Sequence, residues 1–171
     1  QFSSIERRKQ DELFVYFLFS SGKANAIRDK IKKVKKNKKI FKKIYTIKLV
    51  NALPYLLTNG QKEIIKEIET DLQSSQRMFR ILQGDVGSGK TIVSIIAALD
   101  VIESGYQCGL MAPTAILAEQ HYTLFKKLIE KTDLKINFSI LTGKTDPKER
   151  KKILDNIKNK KISFLIGTHA L

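Results

Sequence analysis

The feature that most limits what this chain can fold into is the run Gly84-Asp85-Val86-Gly87-Ser88-Gly89-Lys90-Thr91. It matches G-x-x-x-x-G-K-[ST], a loop whose backbone N–H groups surround the phosphates of a nucleotide. Glycines let the backbone approach phosphate oxygens without a Cβ in the way. The motif's lysine reaches the β- and γ-phosphates, and its final hydroxyl ligates Mg²⁺. The sequence therefore predicts nucleotide binding by all eight residues, with Lys90 and Thr91 as catalytic residues and Thr91 as the metal ligand.

The segments on either side of this loop have the order that the motif requires. Residues 79–83 are predicted to form a short buried strand, and residues 92–103 a largely apolar helix. Strand, loop and helix in succession is the context in which phosphate-binding loops occur. A glycine-serine turn that happens to precede a helix is the alternative, and it fits this context poorly.

Strand-like and helix-like segments alternate along the rest of the chain. Such alternation predicts right-handed crossovers and a parallel sheet flanked by helices, which is the α/β class. The predicted strands cover residues 107–112, 136–141 and 162–166, and the predicted helices cover residues 58–72, 115–131 and a segment that starts at Asp146. Ligands of parallel sheets bind beyond the carboxyl ends of the strands. The stretches that follow strands, and so share this rim, are residues 84–91, 113–114, 142–144 and 167–169.

The first third of the chain is unusually basic. The net charge is +15, and residues 1–60 hold 15 Lys and Arg against 4 Asp and Glu. Two helices are predicted there, over residues 6–20 and 26–49, and Pro54 marks the start of the globular part. The lysines of the second helix lie on all its faces, which favours a solvated surface over a stripe that follows a nucleic-acid backbone. Both readings stay open.

Cysteine, histidine and hydropathy exclude several classes of protein. Cys108 is the only cysteine, so no internal disulfide forms and a reducing compartment is expected. Two histidines and one cysteine make no zinc pattern. No stretch approaches the ~20 apolar residues that span a bilayer. We therefore expect a cytoplasmic protein that does not contact membranes.

Five separated stretches match the motifs of one family in order and spacing. They are Leu57-Thr58 with Gln61, residues 82–91, Ala112-Pro113-Thr114 with residues 116–122, Leu141-Thr142-Gly143, and residues 166–171. Over residues 54–171 the chain resembles the RecG-type ATP-dependent DNA helicases of superfamily 2. The related transcription-repair coupling factor typically has Phe at the position of Ser88. Residues before Pro54 resemble, less specifically, the linker between that family's DNA-binding wedge domain and its motor.

The resemblance implies a fold, a domain arrangement and an activity. The fold would be a RecA-like P-loop NTPase domain, with residues 1–53 as a basic helical linker and residues 54–171 as the N-terminal part of motor domain 1, truncated before the acidic Walker B box. The implied activity is ATP-dependent translocation on branched DNA, including fork reversal and Holliday-junction branch migration, in recombination and repair. Without the acidic box, the second motor domain and the wedge, the chain would be a fragment with little turnover of its own. A nucleotide- and DNA-binding module without ATP turnover is the alternative.

The resemblance also assigns roles to individual residues. ATP and Mg²⁺ are the implied cofactors, and Gln61 stands where related helicases place an adenine-reading glutamine. The same Gln61 completes a capping box with Thr58, and this second reading stays open. Glycine, threonine and helix N-termini suit phosphate contacts that position DNA without reading bases. The implied DNA-binding residues are Pro113, Thr114, Thr142, Gly143, Gly167, Thr168 and His169. The family usually has Glu at the position of Ala115, which leaves a contact there in doubt.

Overall fold

The computed structural model describes residues 40–74, 78 and 80–168. The helices of this part are α1 (Ile44–Ala52), α2 (Asn59–Gln73), α3 (Lys90–Glu103), α4 (Ala115–Glu130) and α5 (Pro147–Lys158). The strands are β1 (Cys108–Met111), β2 (Phe138–Leu141) and β3 (Phe164–Gly167). The predicted helix over residues 6–20, residues 26–39 of the second predicted helix, and His169 lie outside the described residues.

The three strands form one parallel sheet in the order β1-β3-β2. The register aligns Met111 with Gly167 on one side and Leu141 with Gly167 on the other. β3 comes last of the three along the chain and lies between the other two. The predicted parallel α/β arrangement is confirmed, and the carboxyl ends of all three strands meet at one rim.

The buried centre of the fold is α3. Every residue from Ile92 to Ile102 is buried, and α1, α2 and β1 all pack against this helix. A helix that is apolar on all sides is stable only when it is enclosed. On another side of the core, Phe125 of α4 meets the rings of Phe138 and Phe164 edge to face, with ring centres 4.9 and 4.7 Å apart. These contacts fix α4 on β2 and β3.

Local sequence signals at the helix ends are confirmed. The Thr58 side chain accepts a hydrogen bond from the Gln61 N–H, and the Gln61 side chain accepts one from the Thr58 N–H, so the capping box is complete. Asp146 caps α5 with Pro147 in the first turn. Gly105 follows α3 with φ of 83°, a left-handed conformation that glycine adopts at helix ends without steric cost.

The strand predicted over residues 79–83 is wrong for the part that the structure describes. Residues 80–83 form no strand, and Ile81 is 69% exposed rather than buried. A strand requires a neighbouring backbone to pair with, and no other described residue supplies one here. Arg80 instead contacts α2, donating to Asp71 at 2.8 Å and to Glu67 at 2.5 Å.

The helix predicted over residues 26–49 differs in the part that can be compared. Residues 40–43 are not helical, and α1 begins only at Ile44 and continues to Ala52. The interruption lies at Lys43, whose φ of 62° is left-handed. Leu49 of α1 is fully buried in the same core as α3. The predicted domain boundary between residues 53 and 54 stays a prediction.

Candidate functional site

The phosphate loop connects an exposed segment to the buried helix α3. Gly87 and Gly89 have φ of 81° and 83°, a backbone region that other residues enter only with strain. The Ser88 N–H donates to the Asp85 carbonyl at 3.1 Å, which closes a turn. Gly89 is the N-cap of α3. The loop therefore ends at a helix N-terminus, where unpaired N–H groups and the helix dipole favour an anion.

Lys90 and Thr91 occupy the first two positions of α3. The Lys90 Nζ donates to the carbonyl oxygens of Gly84 and Asp85 at 2.6 and 2.8 Å. The lysine side chain thus lies along the inside of the loop, with its ammonium group among the loop's backbone atoms. The Thr91 hydroxyl stands at the same helix end. A compact ammonium and a hydroxyl beside a glycine loop are groups that suit a phosphate and its hard cation.

Gln61 bridges α2 and the phosphate loop. Its Nε2 donates to the Ser88 carbonyl at 2.9 Å, while its Oε1 accepts from the Thr58 N–H at 3.0 Å. A Cβ at Gly89 would collide with Gln61 Nε2. The side chain is therefore more than a cap of its own helix, because it also fixes the backbone of the loop. Whether it reads adenine stays a prediction.

The rim at the carboxyl ends of the strands brings together three of the predicted DNA-contacting stretches. The Ala112 N–H donates to the Gly167 carbonyl at 2.7 Å, and the Thr168 N–H donates to the Leu141 carbonyl at 3.3 Å. The sheet pairing thus continues past β1 and β3. Residues 112–114, 142–143 and 167–168, which are distant in sequence, are neighbours at this rim.

The side chains of the rim differ in exposure. Pro113, Thr114 and Gly143 are exposed, whereas Thr142 and Thr168 are buried. The Thr142 hydroxyl accepts from the Lys144 N–H at 3.3 Å, which shapes the turn before α5. The Thr114 hydroxyl caps α4 by accepting from the Leu117 N–H. The surface offered at the rim is therefore formed by Pro113, Thr114 and Gly143 together with exposed backbone.

Two polar side chains of α4 belong to the motif stretch at residues 116–122. Gln120 is exposed on α4, and His121 is half-buried, where burial lowers the pKa of its imidazole.

Among residues 40–74, 78 and 80–168, no group of three or more His, Cys, Asp and Glu is placed to hold a metal ion. In the same ranges no helix is both long and apolar enough to cross a membrane.

A polar cluster with two buried members, Glu69 and Asp100, joins α1, α2 and α3 and was not predicted from the sequence. Its contacts link Lys43 to Glu69, Ile44 to Glu103, and Thr46 to Asp100. Burial is the main cause that raises the pKa of Asp100 to about 6. The signal that could have revealed the cluster is an aspartate in the middle of an otherwise apolar helix.

Comparison with known proteins gives one family and one fold. The family model described as DEAD/DEAH box helicase matches residues 58–171. A solved structure described as RecG bound to a three-way DNA junction superposes with a TM-score of 0.73 at 42% identity, covering 78% of this chain and 18% of that one. The predicted α/β class and RecA-like fold are confirmed by this match.

Curated relatives agree with that result. The ATP-dependent DNA helicase RecG of Aquifex aeolicus is 43% identical over 162 residues, which cover 94% of this chain and 20% of the relative. The protein of the same name from Bacillus subtilis is 46% identical over 125 residues, covering 73% of this chain and 18% of the relative. The chain spans about a fifth of the length of the curated relatives it matches.

Proposed function

The chain belongs to the DEAD/DEAH box helicase family and is homologous to RecG ATP-dependent DNA helicases; from this premise we propose that it supplies the ATP-binding half of a motor that moves on branched DNA. The whole protein would use ATP hydrolysis for fork reversal and Holliday-junction branch migration in recombination and repair, and would act in the cytoplasm. The observation that carries the proposal is the glycine loop that ends at the N-terminus of the buried helix α3.

The nucleotide would bind along the phosphate loop. The backbone of residues 84–89 and the Lys90 ammonium would contact its phosphates, since both line the inside of the loop. Gln61 would meet the base or hold the loop in shape, because its amide already contacts the Ser88 carbonyl. A fixed loop matters for phosphoryl transfer, where catalysis is mainly positioning and electrostatic stabilisation.

The described residues would hold Mg²⁺ only together with bound phosphates, because the loop supplies one side-chain ligand, the Thr91 hydroxyl. Thr91 is a hard oxygen donor at the helix end, which suits Mg²⁺ with its preference for oxygen ligands and retained waters. Bound Mg²⁺ neutralises phosphate charge. Thr91 would hold it at the loop, and Lys90 would orient the phosphates beside it.

DNA would contact the rim where the three strands end. Pro113, Thr114 and Gly143 are its exposed members, and the rim also contains Thr142, Gly167 and Thr168. Such groups suit contacts to phosphates, which hold DNA in register without reading its bases. His169 remains part of this proposal. The solved RecG structure with a three-way DNA junction supports branched DNA as the substrate class.

We propose the same division of the chain that the sequence predicts, with residues 1–53 as linker and residues 54–171 as motor. The family match over residues 58–171 supports the second part. A wedge domain and a second motor domain would complete the machine in the whole protein. Hydrolysis would then depend on groups contributed by those parts.

Nucleotide binding tests this proposal directly. Calorimetric titration of the chain with Mg-ADP should show binding that Lys90→Ala abolishes, because the variant loses the only side-chain cation that lies in the described loop. Lys126→Ala removes an exposed lysine of α4 and serves as the matched control. Equal affinities for the wild type and Lys90→Ala would contradict the proposal.

A second measurement addresses DNA. A labelled three-way junction should bind the wild-type chain, and the affinity should fall steeply as salt rises, since phosphate contacts release counterions. An affinity for the junction that does not change with salt concentration would rule out the phosphate contacts proposed for the rim. ATP hydrolysis stimulated by the junction is expected of the whole protein.

A further inference from the structure

The N-terminal turn of α1 is held by carboxylates from two other helices. The Lys43 Nζ donates to Glu69 Oε2 of α2 at 2.6 Å. The other two contacts go to α3, where Glu103 accepts the Ile44 N–H at 3.0 Å and Asp100 accepts the Thr46 hydroxyl at 2.6 Å. α1 has no side-chain cap of its own. Since a helix N-terminus carries partial positive charge, these acidic groups both cap and attract it.

Burial makes these contacts consequential. Asp100 is fully buried and Glu69 nearly so. One carboxylate oxygen of Asp100 and one of Glu103 are buried, and no described residue forms a hydrogen bond with either of them. Carboxylates removed from water in this way are costly unless they are paired. The contacts from α1 offset part of this cost, so separation of α1 from α2 and α3 is opposed by more than lost packing.

The helix α2 extends from this cluster to the phosphate loop. Gln61, in its first turn, contacts the Ser88 carbonyl, and Glu69 lies eight residues further along. Eight residues of α-helix span about 12 Å. A helix of this length moves as a rigid body, so a shift at Glu69 moves Gln61 as well. α1 therefore fixes the position of α2 relative to α3, whose own N-terminus carries Lys90. We call the contacts of Lys43, Ile44 and Thr46 with α2 and α3 the brace.

We infer that Lys43 and Glu69 are positioning residues for the nucleotide, acting through Gln61 on the phosphate loop. The inference rests on the proposed nucleotide binding and adds to it a dependence on α1. When the brace is intact, Gln61 meets Ser88 in fixed geometry and the loop is preorganised. Coupling between two sites is reciprocal. Bound nucleotide therefore stabilises the packing of α1 on α2 and α3 by the same free energy that this packing adds to nucleotide binding.

The chain offers a matched control for this inference. Lys48 of α1 also forms an ion pair, with Asp133 at 2.7 Å. Asp133 follows α4 and belongs to neither α2 nor α3. Loss of the Lys48 pair removes the same kind of contact from the same helix but leaves the brace between α2 and α3 intact.

The test is Mg-ADP affinity, measured calorimetrically on the full chain. Lys43→Ala should weaken binding roughly three- to tenfold, whereas Lys48→Ala should change it less than twofold. Lys43→Arg should restore the affinity, because it keeps the charge. In a Gln61→Ala background, Lys43→Ala should have no further effect, since the route through Gln61 is already lost. Glu69→Gln, nearly equal in shape to the wild type, gives an independent variant if Lys43→Ala folds poorly.

Three outcomes would overturn the inference. Lys43→Ala and Glu69→Gln could both bind like the wild type; Lys48→Ala could lose as much affinity as Lys43→Ala; or Lys43→Ala could lose the same factor with and without Gln61. A wild type that binds no better than Lys90→Ala would instead remove the proposed nucleotide site, and the positioning role with it. The comparison with Lys90→Ala therefore separates failure of the inference from failure of the proposed function.

Discussion

The Glu103 carboxylate caps a helix that lies 59 residues earlier in the chain, because its Oε1 accepts the Ile44 N–H at 3.0 Å. α1 has nine residues and no capping side chain of its own. Isolated helices of this length are marginal in water. The formation of α1 and its docking on α3 are therefore one event.

We expect Glu103→Ala to lower the free energy of unfolding by about 1–2 kcal/mol, which is the usual cost of losing an N-cap. Glu103→Gln should cost less, since its amide oxygen still accepts the Ile44 N–H. Urea denaturation followed by circular dichroism measures both. Glu130→Ala, which removes only an exposed pair with Lys126, should change stability by less than about 0.5 kcal/mol. Equal losses in Glu103→Ala and Glu130→Ala would mean that the trans cap contributes nothing.

Asp100 should make stability depend on pH. Its pKa is raised from 3.8 to about 6, mainly by burial, so the folded protein favours the protonated carboxyl. Protonated Asp100 therefore contributes to the free energy of unfolding. This contribution is complete below the pKa that Asp100 has in the unfolded chain, and it is lost as pH rises through the pKa of the folded protein. As pH rises from 4 to 7, the free energy of unfolding of Asp100→Asn should increase relative to that of the wild type by up to roughly 3 kcal/mol. Urea denaturation of both proteins across this range isolates the effect, and parallel pH curves would contradict it.

Gly89 should resist substitution for two separate reasons. Its φ of 83° is strained for any side chain, and a Cβ there would collide with Gln61 Nε2. We expect Gly89→Ala to destabilise the chain by about 1–2 kcal/mol and to weaken Mg-ADP binding. Gly60→Ala is the control, because no atom of the described residues lies within 4 Å of a Cβ added there and alanine favours the helix. Adding Gln61→Ala should relieve the collision but not the backbone strain, so Gly89→Ala should cost less stability in that background. If the stability losses of the two substitutions simply add in the double variant, the proposed collision between residue 89 and Gln61 is wrong.

Thr114 allows a test of the DNA-contacting rim that leaves the fold intact. Aspartate caps helices as well as threonine, so Thr114→Asp should keep α4 stable while placing a negative charge at the rim. Affinity for a three-way junction should fall roughly three- to tenfold at low salt, and the difference should shrink as salt rises. Thr58→Asp makes the same change at the cap of α2, and Thr58 is not among the residues proposed to contact DNA. An identical loss in both variants would indicate a general effect of charge.

Local signals were readable from the sequence because their causes are local. The phosphate loop, the Thr58 capping box and the Asp146 cap each depend on residues within one or two turns. The parallel sheet followed from the alternation of segments. The strand predicted over residues 79–83 is wrong for residues 80–83, since strand formation depends on a distant backbone and not only on apolar side chains.

The polar cluster at the start of α1 could not be predicted from the sequence for a similar reason. Lys43 and Glu69 look like ordinary surface charges in a lysine-rich chain, and Glu103 looks like the end of a helix. Only the packing of three helices makes them neighbours. The sheet-rim residues were identified through family resemblance, whereas the buried state of Thr142 and Thr168 required the structure.

The position of β3 has a consequence for synthesis on the ribosome. Every parallel pair in the described sheet includes β3, which is also the last of the three strands to be translated. Within the described sheet, β1 and β2 therefore have no strand partner until residues 164–167 emerge, and this ordering of contacts over long sequence separations slows folding. A nascent chain paused before residue 164 lacks the one strand that pairs with both β1 and β2 in the described sheet, and an intermediate with strand edges left open in this way is the kind that chaperones retain and that otherwise aggregates.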